Sequence, residues 1–245
     1  MTAHSQALPS RAVLCILLLL SIQMSAHSLA AENTAPPLYD DLGNLHYEVS
    51  ATDPAQAYFD QGLRLYYAFN HIEAIASFRE AQRLDPSCAM CWWGESISWG
   101  PNINLAMDAP SAIAAYQALQ QALALSANAS EKEQLLIAAL SQRYQESPAD
   151  DRSALDAAYA TSMQALAVRF PEDDDIVVLY GESVMDLSPW DYWTIDDVLR
   201  PAMDVALAGI SSVLQRSPQH PGACHFFIHA VEKVQPQRAV DCAER

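Results

Sequence analysis

The chain has 245 residues, 51% of them hydrophobic and 18% charged, with 30 acidic against 13 basic side chains. A formal charge of −17 excludes broad electrostatic binding to nucleic acid or to an anionic membrane surface, since both need clustered Lys and Arg. Seven glycines are few for this length, which argues against a turn-rich all-β fold and glycine-rich phosphate loops, and the apolar content excludes wholesale disorder.

In chain order, Arg11 is the only charged residue before Glu32, and it precedes an apolar run from Ala12 to Ile22 and small residues around Ser28, Ala30 and Ala31. This describes a secretory signal peptide over residues 1–30, too short to span a bilayer as a helix. Cys15 lies inside the apolar run and does not read as a lipidation site. Cleavage would remove one positive charge and no negative one, giving −18 and leaving no stable membrane anchor. The expectation is an exported, periplasmic protein. Four cysteines would remain, Cys88, Cys91, Cys224 and Cys242, enough for two disulfides with three possible connectivities. Cys88 and Cys91 are disulfide or redox candidates as a local C-x-x-C. Trp92 stands where c-type haem attachment needs His.

Residues 31–53 are polar and contain Pro36 and Pro37, and read as a linker. From Pro54 onward the pattern is helical. Gly62 is followed by Ala74, Phe78, Ala81 and Pro86 at tetratricopeptide spacing: a small residue in the first helix, small-large-small in the second, then a closing proline. Small residues at the crossing let two antiparallel helices approach while Phe78 fills the gap. Looser units follow at Leu155–Pro171, with Met163 in the large position, and at Pro201–Pro218, with Ile210 there. Amphipathic stretches occupy Pro110–Ser126, Glu131–Gln145 and Asp175–Met185, and inserted loops occupy Gly100–Asp108 and Leu187–Arg200. The predicted fold over 54–245 is all-α, an α-solenoid of TPR-like helical hairpins with a concave binding surface. The final segment, Pro236–Arg245, resembles the start of another helix, so the repeats are expected to continue beyond Arg245.

The sharpest cluster is HPGACHFFIHAVE, from His220 to Glu232. His225, His229 and Glu232 stand at i, i+4 and i+7, on one face of one helix. Two imidazoles and a carboxylate there suit a transition metal, Cu, Fe or Zn, with His71 or His220 as a further ligand. Hydrogen-bonded structural polar residues are the alternative. His71 also reads as a helix-start residue packing beside Phe69 and Tyr66. The H-E-x-x-H order of a zincin is absent. Trp92, Trp93 and Trp99, with Asn102 and Asn104, form a block CAMCWWGESISWGPNIN whose rings read either as core or as stacking surfaces for a ligand. Trp190, Asp191 and Trp193 form an aromatic loop, PWDYW, that either lines the concave surface or lids the neighbouring hairpin. The acidic run Glu172–Asp175 suits a helix N-terminus.

Together YAFNHIEAIASFREA, the CAMCWWG block, SPWDYW and HPGACHFFIHAVE resemble a family of exported bacterial tetratricopeptide proteins of largely uncharacterised function. The resemblance implies a longer protein with further repeats and histidines, and a histidine-rich helix that serves a metal or ligand. Thr194–Arg200 departs from it, being acidic and apolar where relatives tend to carry a Gly/Pro-rich loop. The functional expectation is a scaffold that binds a peptide or protein partner on its concave face, with a metal-binding protein or metalloenzyme as the alternative.

Overall fold

The computed structural model describes residues 35–244; the expected signal peptide, with Cys15, lies outside the described residues. These residues form ten α-helices: α1 (Asp53–Tyr67), α2 (His71–Leu84), α3 (Ala89–Ser98), α4 (Ala109–Leu125), α5 (Glu131–Leu140), α6 (Ser153–Arg169), α7 (Asp174–Met185), α8 (Pro201–Arg216), α9 (Pro221–Val231) and the short α10 (Val240–Ala243). The fold is all-α, with no strand among the described residues. Local chemistry marks most helix starts. Asp108 caps α4, Ser130 and Glu133 form a capping box on α5, and Asp173 accepts from the Ile176 amide at the head of α7. Prolines open α1, α8 and α9, where the missing N–H is not needed.

Helices adjacent in sequence pack on one another through α1–α4 and again through α5–α9. The first crossing follows the expected spacing. Phe78 is fully buried with its ring between Gly62 of α1 and Gly94 of α3, where an added Cβ would come within 2.8 Å and 2.3 Å of that ring. Ala74 and Ala81 flank it, also fully buried. The later units keep their large residues inside: Met163 and Ile210 are buried, and Ile210 rests on Gly181 of α7. Besides its neighbours, α9 packs against α7 and against α1, so the histidine-bearing helix meets the end of the first hairpin.

Two connections depart from plain turns as expected. The loops 99–108 and 186–200 each carry one isolated β-bridge, Asn102 with Leu105 and Trp193 with Leu199. The described part of the expected linker, in contrast, is tied down. Residues 36–52 are irregular in backbone, yet Tyr47 and Val49 are buried. Asp60 accepts from the Tyr47 amide, Glu133 from the Ser50 amide and hydroxyl, and Asp85 from the Thr52 amide. Helix side chains replace the backbone partners that an extended strap lacks. Its polar composition therefore marks a strap rather than a free linker.

Candidate histidine site

The site is assembled where the C-terminal end of α1 meets α9, with His71 at the head of α2 reaching the C-terminal end of α3. At the head of α9, His220 uses Nδ1 to accept the Ala223 amide at 3.2 Å, and Gly222 lets Tyr67 press on the backbone, since a Cβ there would lie 2.5 Å from that ring. With Nδ1 accepting, His220 carries its proton on Nε2, which is buried, makes no hydrogen bond and lies 3.4 Å from Asp175 Oδ1. Asp175 accepts instead from the Tyr67 hydroxyl at 2.8 Å. His220, expected as a possible metal ligand, is thus occupied as a helix cap.

The other three histidines share a different pattern. His225 Nδ1 lies 2.5 Å from the carbonyl of Tyr67, the last residue of α1. His71 Nδ1 lies 3.1 Å from the carbonyl of Ser98, the last residue of α3. His229 Nδ1 lies 2.8 Å from Oε1 of Glu232. Each partner is an acceptor, so each Nδ1 carries a proton, and in a neutral ring Nε2 then keeps its lone pair. Helix-terminal carbonyls lack intrahelical donors and carry the negative end of the helix dipole, so these contacts satisfy orphan groups and raise imidazole basicity. Glu232, expected as a ligand on the same face, stands behind His229 as its orienting carboxylate.

The consequence is an electrostatic conflict. His225 Nε2 and His229 Nε2 approach to 2.9 Å. When both rings are neutral, two lone pairs face each other. Burial pushes the His225 pKa below the ordinary imidazole value, despite the Tyr67 carbonyl, and burial likewise lowers His71. Both therefore favour the neutral form near pH 7. One cation relieves the conflict, whether a proton shared by the pair or a metal ion held by both. His71 stays outside the pair, its Nε2 met only by the Asn102 amide at a long 3.4 Å. Among the described residues no group of three or more His, Cys, Asp or Glu side chains is arranged to hold a metal.

Two aromatic residues with left-handed backbones enclose the pair. Phe69 has φ 58° and Trp190 φ 65°. A bulky L residue in this region carries about 1–2 kcal/mol of strain and persists where its surroundings enforce it. The Phe69 ring touches all three imidazoles, at 4.4 Å from His225, 5.7 Å from His71 and 6.2 Å, nearly parallel, from His229. Trp190 meets His229 edge-on at 5.1 Å and anchors its indole N–H on the Ile103 carbonyl. The loops 99–108 and 186–200 therefore meet at this site. Sequence reading placed Phe69 beside His71 but gave no signal for its left-handed backbone, because Asn or Gly usually marks such a position.

The remaining candidates separate. Asn102 and Trp190 belong to the site. Trp93 and Trp193 are core rings, the latter donating its indole N–H to the Ala230 carbonyl, so neither is presented to a ligand. Trp92 lines a separate groove with Glu95 and Gln121, and Trp99 stacks beneath the Arg79 guanidinium. Asn104 is exposed, and exposed Asp191 forms a two-oxygen pair with Arg200. Cys88 and Cys91 are joined in a fully buried disulfide at the head of α3, and Cys224 is joined to Cys242.

A second polar cluster was not legible in the sequence. Arg143 is buried and bonds Asp186 Oδ2 at 2.5 Å, while Glu182 accepts the Tyr66 hydroxyl at 2.7 Å. Burial, reinforced by Asp186, pushes Glu182 up to about 8, and burial pushes Asp186 up to about 6 against the pull of Arg143. Tyr66 also packs edge-on against His71, so this cluster backs the histidine site. Compared with protein-family models, curated proteins and solved structures, the chain finds no match.

Proposed function

We propose that the chain binds a transition-metal ion through Nε2 of His225 and His229. The reading is carried by one observation: the two Nε2 atoms converge to 2.9 Å while both Nδ1 atoms are committed to acceptors. A metal-ligating histidine characteristically donates its other N–H to a carbonyl or carboxylate, as both do. Imidazole donors suit Cu, Fe or Zn, and among divalent ions Cu(II) binds such nitrogens most strongly. The test is calorimetric titration of the disulfide-intact protein with Cu(II), Ni(II) and Zn(II). One equivalent should bind, H225A and H229A should each abolish it, and E232A should weaken it by about 10–100-fold through loss of the orienting carboxylate. Binding that survives H225A together with H229A would overturn the assignment.

Several broader features accompany this reading. The packing of Phe78 between Gly62 and Gly94 supports a TPR-like solenoid of helical hairpins. The two disulfides suit an oxidising compartment and so an exported, periplasmic protein. A second reading, a scaffold for a peptide or protein partner, is favoured by the apolar rim of the 186–200 loop, where Ile195 is 96% exposed and Val198 60%. Ile195→Asp combined with Val198→Asp should abolish partner capture in a periplasmic extract while leaving metal binding intact. Capture unchanged by that pair would exclude this rim.

A further inference from the structure

We propose that the Cys224–Cys242 disulfide is a thiol–disulfide exchange site that latches residues 236–244 onto α9. Its substrate is a dithiol reductant, and its reduction releases that segment. The latch is separate from the metal site above and stands without it.

The two disulfides differ in access. Cys88 and Cys91 are both 0% exposed and lie within the main hydrophobic core. Cys242 is half-buried, and with Cys224 it borders a cavity of about 630 Å³ that also meets Leu42, Tyr67 and Ile228. A thiolate must reach a sulfur atom to exchange, so access selects which bond reacts.

The segment beyond α9 leans on that bond. It comprises one 3₁₀ turn, Pro236–Ala239, and α10, and it packs chiefly on α9. The hydrogen bonds of residues 236–244 are local, Arg238 reaching back to Gln235 and Glu244 to Val240. A cavity of about 370 Å³ is lined by Gln235 and Arg238 on one side and by Asp204, Leu207 and Ser211 of α8 on the other. A further one of about 230 Å³ lies between Asp241 and Leu214. Buried Ala239 and the Arg238 guanidinium, 5.2 Å over the Phe227 ring, are the segment's remaining holds. A segment flanked by cavities and bonded only to itself owes its docking to the covalent tie.

One thiolate of the dithiol attacks Cys242 Sγ, the more accessible sulfur, the Sγ–Sγ bond breaks and Cys224 leaves as a thiolate. Cys224 takes up the proton that the attacking thiol gave up, and its S–H has the Pro218 carbonyl, 3.7 Å from Sγ, as acceptor. The second thiol of the reductant then attacks the reductant's own sulfur in the mixed disulfide, and Cys242 leaves and is protonated. Two electrons and two protons pass to the protein, and the dithiol ends as a disulfide. Residues 236–244 undock, and the cavity beside His225 loses its Cys242 wall.

The experiment is partial reduction of the folded full chain by dithiothreitol without denaturant. Free thiols are trapped with N-ethylmaleimide and mapped by mass spectrometry, and amide hydrogen exchange is followed on the same samples. Cys224 and Cys242 should be alkylated together, about tenfold or more faster than Cys88 and Cys91. Amides of residues 236–244 should lose about tenfold or more of their protection while α1–α3 keep theirs. C224A/C242A, never reduced, should show the same loss, which ties it to the bond and not to the reagent. Alkylation of Cys88 and Cys91 as fast as the other pair would overturn the exchange site. Unchanged protection of residues 236–244 in the reduced wild type would overturn the latch, and that arm stands even where the double variant fails to fold.

Discussion

Two phenylalanines nine residues apart show how differently two regions of this molecule are built. Phe78 lies mid-helix in α2, fully buried against two glycines and edge-on to the ring of Phe59. Phe69 lies in the joint before α2 with a left-handed backbone, half-buried among three imidazoles. At Phe78 propensity, pattern and packing agree, which is how a sequence specifies one structure. At Phe69 a local rule is broken, next to a close imidazole pair and a buried carboxyl cluster. Such concentrations of strain and unsatisfied polarity mark functional sites more often than packing sites.

The largest expected effect tests whether the polar region really carries a cost that the Phe78 crossing does not. Glu182 holds its proton up to about 8 in the folded protein, against 4.5 as its ordinary value, chiefly because burial disfavours the charged form. Its folded pKa is raised, so its stabilising contribution is complete below the ordinary value and is lost as pH rises through about 8. His225 and His71 act in the opposite sense: their lowered pKa values give stability above the ordinary 6.5 that is lost as pH falls through the folded values. Between these windows Glu182 dominates. Urea denaturation from about pH 6 to about pH 9 should show wild-type stability falling by a few kcal/mol. E182Q, which still accepts from Tyr66, should flatten that fall. An unchanged slope in E182Q would remove the buried carboxyl from the comparison.

Legibility divides along the same line. The Phe78 crossing, the helices α4 and α7, the two inserted loops and the shared face of His225 and His229 follow from spacing, because each depends on residues close in sequence. The site depends on distant ones. His225 reaches Tyr67 across 158 positions and Tyr66 reaches Glu182 across 116, and both pairings require α9 and α7 to pack on the first hairpin. No periodicity encodes that return. Arg143 shows the same gap, since a basic residue just past the end of α5 reads as solvent-facing until Asp186 is brought to it. His220 failed for a local reason. Its place before Pro221-Gly222 suits a helix cap as well as a ligand, and only the Ala223 amide on Nδ1 decides between them.

The smallest expected effect is the most discriminating, because its sign reverses between the two regions. Glycine in a helix interior is less stable than alanine by roughly 0.5–1 kcal/mol, since it loses more backbone entropy on folding. At position 78 the backbone is helical, so F78G should be less stable than F78A by about that amount. At position 69 the backbone has φ 58°, where alanine meets the steric penalty of the left-handed region and glycine does not. F69G should therefore be more stable than F69A by about 1 kcal/mol, although both lose the same ring. Paired urea melts of the four variants read this difference directly, and the lost ring contacts cancel within each pair. Equal stability of F69G and F69A would mean that the joint relaxes once the ring is gone. The strain would then belong to the side chain's own contacts with the imidazoles, and the left-handed backbone would follow from those contacts.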